Sequence, residues 1–312
     1  MAAREISFAV SVIIISSAFL MAAGCLGGDD GAFDLVVVSV LPQKEMVESI
    51  SGSGIRVEVM VPEGQSPHGY SPTPGQLLDI TKADLYFKVG SGVEFELNHI
   101  GTLTETNPDM VVIDTSKGID VKSFDEHLGA DDHSVEEGEI TSENGDDHDH
   151  EGTDPHIWLS PSNMKIMAGN VRSALIEHDP ENGDLYDSNY EAYIGRLEEA
   201  IGAMKEKLDP HAGEEFLVYH PAWGYFGDEF GLIQLSIEEE GKKPGPQGIA
   251  AIIDQAREHN ITVVFVSPQF DTSGARQIAD EIGGEVVMVD SLAEDYIDNI
   301  LEVADKMDRG LS

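Results

Sequence analysis

The sequence predicts an α/β protein built from two similar lobes with parallel sheets, joined by one long rigid helix. Three observations lead there. Continuous β-branched runs such as Asp34–Val40 (DLVVVSV) and Ile261–Val266 (ITVVFV) alternate with helical patterns. That is the rhythm of parallel strands covered on both faces. The rhythm breaks off after Ile113 and restarts at Glu215. Between the two runs, Leu185, Tyr190, Tyr193, Ile194, Leu197, Ile201, Met204 and Leu208 form one apolar stripe. A helix over 184–208 would be about 40 Å long at a rise of 1.5 Å per residue, which suits a rod joining two bodies.

Each element has its own local warrant. After the first strand, Pro42–Ile50 has helical spacing, and Val57–Val61 is a second strand ending at Pro62-Glu63-Gly64. Thr73–Lys82 is a helix with Pro74 in its first turn, where the missing N–H costs nothing. Ala83–Val89 and Met110–Ile113 are the third and fourth strands. From Asp120 to Thr153 apolar residues are sparse and acids dense, with His127, His133, His148 and His150 among them. This stretch cannot bury enough surface to order itself. Ser162–His178 is helical, with Met164, Met167, Val171 and Leu175 on one face. Asp209-Pro210 stops the rod. The second half gives strands Glu215–Tyr219, Leu232–Ile237, Ile261–Val266 and Glu285–Val289, and helices Gly245–His259, Ser273–Ile282 and Tyr296–Met307. The expected divisions are 34–180 for the first lobe (with the acidic loop 120–153), 181–209 for the linking helix and 210–312 for the second lobe.

The charge balance excludes one class of partner. There are 59 acidic residues against 18 basic ones, a net charge of −41, so no nucleic acid is expected as a partner, because phosphate binding needs Lys and Arg patches. The acid is spread along the whole chain, as on a solvated surface suited to high salt.

The one cysteine, Cys25, rules out an internal disulfide. Ahead of it lie Arg4, an apolar run from Ile6 to Ala23 and the small residues Ala22-Ala23-Gly24. This is a signal-peptide pattern ending at a lipobox-like cysteine. Residues 1–24 are expected to be removed and a lipid attached to Cys25, with 25–33 as a Gly/Asp tether. The rest would then be extracytoplasmic, anchored to the outer face of the cell membrane. An uncleaved N-terminal anchor gives the same sidedness.

Four segments carry chemistry. Ser66-Pro67-His68-Gly69-Tyr70, Asp154-Pro155-His156-Ile157-Trp158, Tyr219-His220-Pro221-Ala222-Trp223 and Val287-Met288-Val289-Asp290 each place one potential metal ligand after an apolar run or beside proline. Ligands of open α/β sheets bind beyond the carboxyl ends of the strands. Two of the four come from each half, so they should meet in the cleft between the lobes. Three imidazoles and a carboxylate complete a four-coordinate shell for Zn(II). With no thiolate the set does not suit Cu(I), and with four protein ligands it leaves no open position for a catalytic water. Three neutral imidazoles also predict that affinity falls steeply below about pH 6, with a slope approaching three protons.

On these residues the chain resembles the metal-binding lipoproteins of zinc/manganese ABC importers, the cluster A-I, ZnuA-like solute-binding family. Matching segments are 67–74, 154–161 and 219–226, then Gly241-Lys242-Lys243-Pro244-Gly245-Pro246, Ser267-Pro268-Gln269-Phe270 and Val289-Asp290-Ser291-Leu292. The resemblance implies metal ligands at His68, His156, His220 and Asp290, and a long helix between the lobes. It also implies an ABC importer permease as partner and a transition-metal ion as cargo; a monomer is expected. Such proteins often carry a His/acid-rich loop between the first two ligands, as here. The chain departs from the pattern at Ser291, where Pro is usual, and in a loop richer in acid and poorer in histidine than in strongly zinc-type members.

The function expected is therefore capture of Zn(II) and its delivery to a membrane permease, with no enzymatic activity. A Mn(II)-specific receptor is the alternative within the family, since Mn(II) prefers more oxygen ligands and Asp290 could bind through both oxygens. His220 in place of a third-position carboxylate favours zinc. Outside that class stand a surface metal-buffering adhesin and a zinc hydrolase, the latter without a His-Glu-x-x-His motif. Trp158 and Trp223 flank ligands and either wall the site or pack in the core, and His99, His178, His211 and His259 are expected to lie on the surface.

Overall fold

The computed structural model describes residues 34–124, 152–238, 244–270 and 272–312. The expected signal segment 1–24, Cys25 with its tether 25–33, the body of the acidic loop (125–151) and Gly241–Lys243 lie outside the described residues.

The first sheet contains β1 (Leu35–Val38), β2 (Arg56–Val59), β3 (Leu85–Lys88) and β4 (Val111–Asp114), in the order β2-β1-β3-β4. The second contains β5 (Glu215–Val218), β6 (Ile233–Ser236), β7 (Val263–Val266) and β8 (Glu285–Met288), in the order β6-β5-β7-β8. Every pairing is parallel. The second lobe thus repeats the topology of the first. In each, the connections after the first strand leave on opposite sides of it, so the loops diverge at the carboxyl ends and open a crevice there. The four residues of β1 are at most 1% exposed, which is why the sequence shows a continuous β-branched run and no alternation.

The first lobe's helices are α1 (Leu41–Ser51), α2 (Pro74–Ile80), α3 (Glu94–Thr106) and α4 (Pro161–His178). Then come the linking helix α5 (Gly183–Leu208), α6 (Gly224–Phe230), α7 (Pro246–Glu258), α8 (Ser273–Ile282) and α9 (Tyr296–Leu311). Start signals are written locally. Thr73 caps α2 through a reciprocal pair with Gln76, and Pro74 follows. Ser160 Oγ accepts from Asn163 N at 3.1 Å and Pro161 opens α4.

The 26-residue α5 is the spine. It packs against α1 and α4 of the first lobe and α9 of the second. Its buried residues Tyr186, Tyr193, Leu197, Ala200, Met204 and Leu208 belong to one apolar core that runs from Leu35 to Met307. A smaller core, with Leu217, Val264, Val266 and Ile278, lies on the remaining face of the second sheet beneath α7 and α8.

Two helices, α3 and α6, are absent from the sequence reading. In α3 only Phe95, Glu96 and Leu103 are buried, too few to print a period. The 7-residue α6 is buried at five positions and leaves only Asp228 and Glu229 on its polar side, too short a stretch to show a helical period.

Candidate metal centre

Each histidine is placed by the element before it. Two residues after β5 comes His220, and its position is anchored by Tyr219 N, which donates to Phe265 O at 2.9 Å. His68 ends a turn that begins at the buried Met60 and Val61 past β2, and its N–H donates to Ser66 Oγ at 3.3 Å. His156 follows Asp154-Pro155 and leads through one turn of 3-10 helix, Ile157–Leu159, into α4.

A buried carboxylate pins the loops beneath. Glu96, 4% exposed, accepts N–H bonds from Val89 at 2.6 Å and Gly90 at 3.0 Å, and an O–H bond from Ser39 Oγ. Burial raises its pKa above the usual carboxylate range. Gly90 cannot be replaced there: its φ is +89°, and a Cβ would stand 2.0 Å from an Asp114 carboxylate oxygen. The next residue, Ser91, donates its hydroxyl to Pro155 O at 2.5 Å. The chain from Glu96 to Gly90, Ser91 and Pro155 fixes the entry to His156.

Nitrogen atoms of His68, His156 and His220 all lie within 4.8 Å of one another. The Nε2 atoms of His68 and His220 are 3.2 Å apart. Two nitrogens on one tetrahedral zinc, each about 2.0–2.1 Å from it, would be separated by roughly 3.3 Å. The pair therefore already has the spacing of one edge of such a shell.

All three rings carry a carboxylate on the other nitrogen. His156 Nδ1 is 2.7 Å from Asp154 Oδ1, which also accepts the His156 N–H at 2.9 Å. His220 Nδ1 is 3.3 Å from Glu238 Oε2, and His68 Nδ1 is 3.5 Å from Glu94 Oε2. A proton held on Nδ1 by a carboxylate leaves the Nε2 lone pair for a metal and makes it more basic. With His220 Nδ1 so engaged, its Nε2 lone pair faces His68 Nε2 at 3.2 Å, where a proton or a cation can lie between them. Burial, then the neighbouring His156 and His220, lowers the His68 pKa to about 3. It is neutral at pH 7 and ready to ligate.

The three histidines line a cavity of about 10 Å³ with Ser66, Pro67, Trp158, Gln269, Phe270, Ser291 and Leu292. This is about the room one water or one ion needs. Phe270 stacks on His220 at 4.4 Å between centroids. Trp158 meets His156 edge-on at 5.4 Å and donates Nε1–H across the lobes to Ser291 O at 2.8 Å. Trp223 is not among the lining residues; its ring is buried against Phe226.

Asp290, the expected fourth ligand, stands apart from the three histidines among the described residues. Its Oδ1 accepts from Gln269 Nε2 and from Leu292 N, both at 2.8 Å. It lines the neighbouring cavity of about 570 Å³, whose wall also carries Glu63, Glu294, Asp295, Asp298 and Glu302.

Asp154, Glu238 and Glu94 have no role in the sequence reading. The signal for Asp154 was its place two residues before a histidine. The signal for Glu238 was its place two residues past β6, level with His220 two residues past β5. Of the remaining histidines, His259 is exposed and His99 and His178 are half-buried. His211 departs from the surface expectation: it is 8% exposed, with Nδ1 3.1 Å from Glu214 and Nε2 2.9 Å from Asp308. Two carboxylates compensate its burial.

A family model described as the zinc-uptake complex component A, periplasmic, matches residues 36–310. A curated high-affinity zinc uptake system protein ZnuA of Yersinia pestis is 32% identical over 247 residues, covering 75% of this chain and 76% of that protein. A manganese-binding lipoprotein MntA of Halalkalibacterium halodurans is 27% identical, with 99% of each chain covered. Among solved structures, a crystal structure of ZnuA is 34% identical with a TM-score of 0.79, covering 89% of this chain and 99% of that one.

Proposed function

Because the chain belongs to the family of periplasmic zinc-uptake component A proteins, we propose that it is the extracytoplasmic receptor of an ABC importer, capturing Zn(II) and passing it to a membrane permease. One observation carries this reading: the three imidazoles converge on a single-ion cavity, each with a carboxylate at Nδ1. His68, His156 and His220 bind the ion. Asp290 remains the proposed fourth ligand, since its neighbours Ser291 and Leu292 already line the cavity. The ligand at the third position is His220, a nitrogen donor, which favours zinc over manganese.

Manganese is the second reading, supported by the MntA relative and by the carboxylate at Asp290. The size of the cavity speaks against the hydrolase alternative, because about 10 Å³ holds no organic substrate beside an ion. The receptor is proposed to act as a monomer held to the outer face of the membrane by lipid on Cys25. No helix among the described residues is long and apolar enough to cross a membrane.

The test is metal analysis of the purified protein under limiting, competing Zn(II) and Mn(II), repeated with His68, His156 and His220 each changed to Ala. The ligands stand on loops and belong to neither apolar core, so each variant should keep its circular dichroism and lose tight binding. Unfolding of every variant would make these core histidines and end the reading.

A further inference from the structure

The second lobe carries another cavity at the far end of its sheet. It holds about 260 Å³ and lies against the amino ends of β5 and β7 and the last residues of α9. Glu215 opens β5 and His220 follows its other end, so this cavity is roughly 16 Å from the metal centre at about 3.3 Å per residue. Its floor is apolar. Phe216 and Phe265, each 1% exposed, meet edge to face at 6.4 Å between centroids. Gly310 lets the end of α9 pass close to that floor, since a Cβ there would stand 2.7 Å from Phe265 Cζ. The wall is polar and anionic: Glu214, Glu215, His259 and Asn260 line it, and no Lys or Arg does.

The two carboxylates differ. Glu214 is engaged by His211 Nδ1 at 3.1 Å. Glu215 Oε2 is buried and accepts no hydrogen bond. His259 Nδ1 stands 2.8 Å from that oxygen without making the bond, and the two attract as charges only when the imidazole is protonated. Buried acceptors are seldom left without a donor, and a charged one is the costliest to leave so.

We propose that this cavity is a binding site for a small primary alkylammonium, whose –NH3+ group donates to Glu215 Oε2 and whose hydrocarbon body lies on Phe216 and Phe265. Three features select that class. The unpaired carboxylate oxygen calls for a charged donor. The phenyl floor calls for hydrocarbon, which gains by leaving water. The absence of Lys and Arg from the lining turns away carboxylates and phosphates. The volume falls just under the ~300–1,000 Å³ of drug-sized ligand pockets, so the occupant is small. The site contains none of the proposed metal ligands and stands or falls apart from the receptor reading.

The experiment titrates the full chain with butylammonium chloride, and in parallel with tetramethylammonium chloride, which has the same charge and no N–H. Amide chemical shifts locate the binding and calorimetry measures it. Butylammonium should bind with a dissociation constant of about 1 mM, within the ceiling for so few non-hydrogen atoms. Its shifts should gather at 213–216, 259–261 and 310. Tetramethylammonium should bind about tenfold more weakly or worse, and Glu215→Gln should weaken butylammonium by a similar factor, because each removes the charge-assisted hydrogen bond. Saturation with Zn(II) should change neither the affinity nor the pattern of shifts. Absence of saturable shifts overturns the inference, as do shifts scattered over the acidic surface or equal affinity for the two cations. If Glu215→Gln fails to fold, the comparison of the two cations on the unmodified protein decides. Loss of the Zn(II) reading would leave this site untouched, and failure here would leave the receptor reading as it is.

Discussion

Glu229 lies on α6 in the second lobe, yet its carboxylate closes the start of α4 in the first: Oε1 accepts Ser162 Oγ at 2.6 Å and Oε2 accepts Ser162 N at 3.1 Å. Ser160 Oγ donates to the same carboxylate. The reverse arrangement holds between α1 and α9, where Glu45 accepts Ile297 N, in the first turn of α9, at 3.0 Å. Each lobe thus supplies an anion to the N-terminus of a helix in the other. An acid at that place meets the unpaired N–H groups and the positive end of the helix dipole.

Glu229→Ala should therefore destabilise the protein by about 1–2 kcal/mol, the usual cost of a lost cap. It should also weaken metal binding, because Ser160 is only four residues past His156. Thermal melts and chelator competition measure the two effects. A variant as stable as the parent would show that the caps do not couple the lobes.

The carboxylates behind the histidines give a second prediction. Asp154→Ala and Glu238→Ala should each lower metal affinity by roughly 10–100-fold, as loss of a partner behind a ligating imidazole does elsewhere. Asp154, fully buried and 2.7 Å from its ring, should cost more than Glu94, half of whose side chain is exposed at 3.5 Å. The same competition assay ranks them; equal losses for Asp154 and Glu94 would contradict the geometry.

The three histidines were legible because each stands beside proline, with His220 directly past a strand and His156 directly before a helix, features that lie within a few residues of one another. Glu238 was not, since 18 residues separate it from His220 and only the sheet brings them together. Parallel pairing of β5 and β6 sets Val218 opposite Ser236; two residues further along each strand come His220 and Glu238. The Gln269–Asp290 pair follows from β7 and β8 in the same way. Strand order and register are properties of the whole sheet, so no local reading of these segments could supply the partners. The buried strands, by contrast, state their environment in their own composition, as Leu35–Val38 does.

His211 supplies a prediction about pH. The hydrogen bond to Asp308 raises its pKa above the usual histidine value, with Glu214 adding to the effect and burial opposing it. A raised folded-state pKa means that the stabilisation is fully present below about pH 6.5, the unfolded value, and is lost as pH rises through the folded value. Melting temperatures of the parent and of His211→Asn should differ most near pH 6 and converge towards alkaline pH. A gap independent of pH would mean that His211 contributes packing and no charge.

The proton count on metal binding separates the structure from the sequence most sharply. Three imidazole ligands with ordinary pKa values would release close to three protons below pH 6, and log affinity would fall with that slope. In the folded protein His68 is pushed down to about 3, first by burial and then by His156 and His220. Above about pH 4 it carries no proton for a metal to displace. Between pH 4.5 and 6 the slope should therefore not exceed two, the number of remaining imidazoles. The same shift has a consequence for the metal-free protein. Its unfolded chain takes up a proton at His68 below about pH 6.5 while the folded one does not, so this residue removes stability as pH falls from about 6.5 towards 3. Replacing His68 with Asn should flatten that part of the stability profile as well as abolish tight binding. Chelator competition and thermal melts over the same pH range read both quantities. A slope of three, together with an unflattened profile in the variant, would show that His68 titrates as an ordinary exposed histidine and that the three rings do not face one another as described.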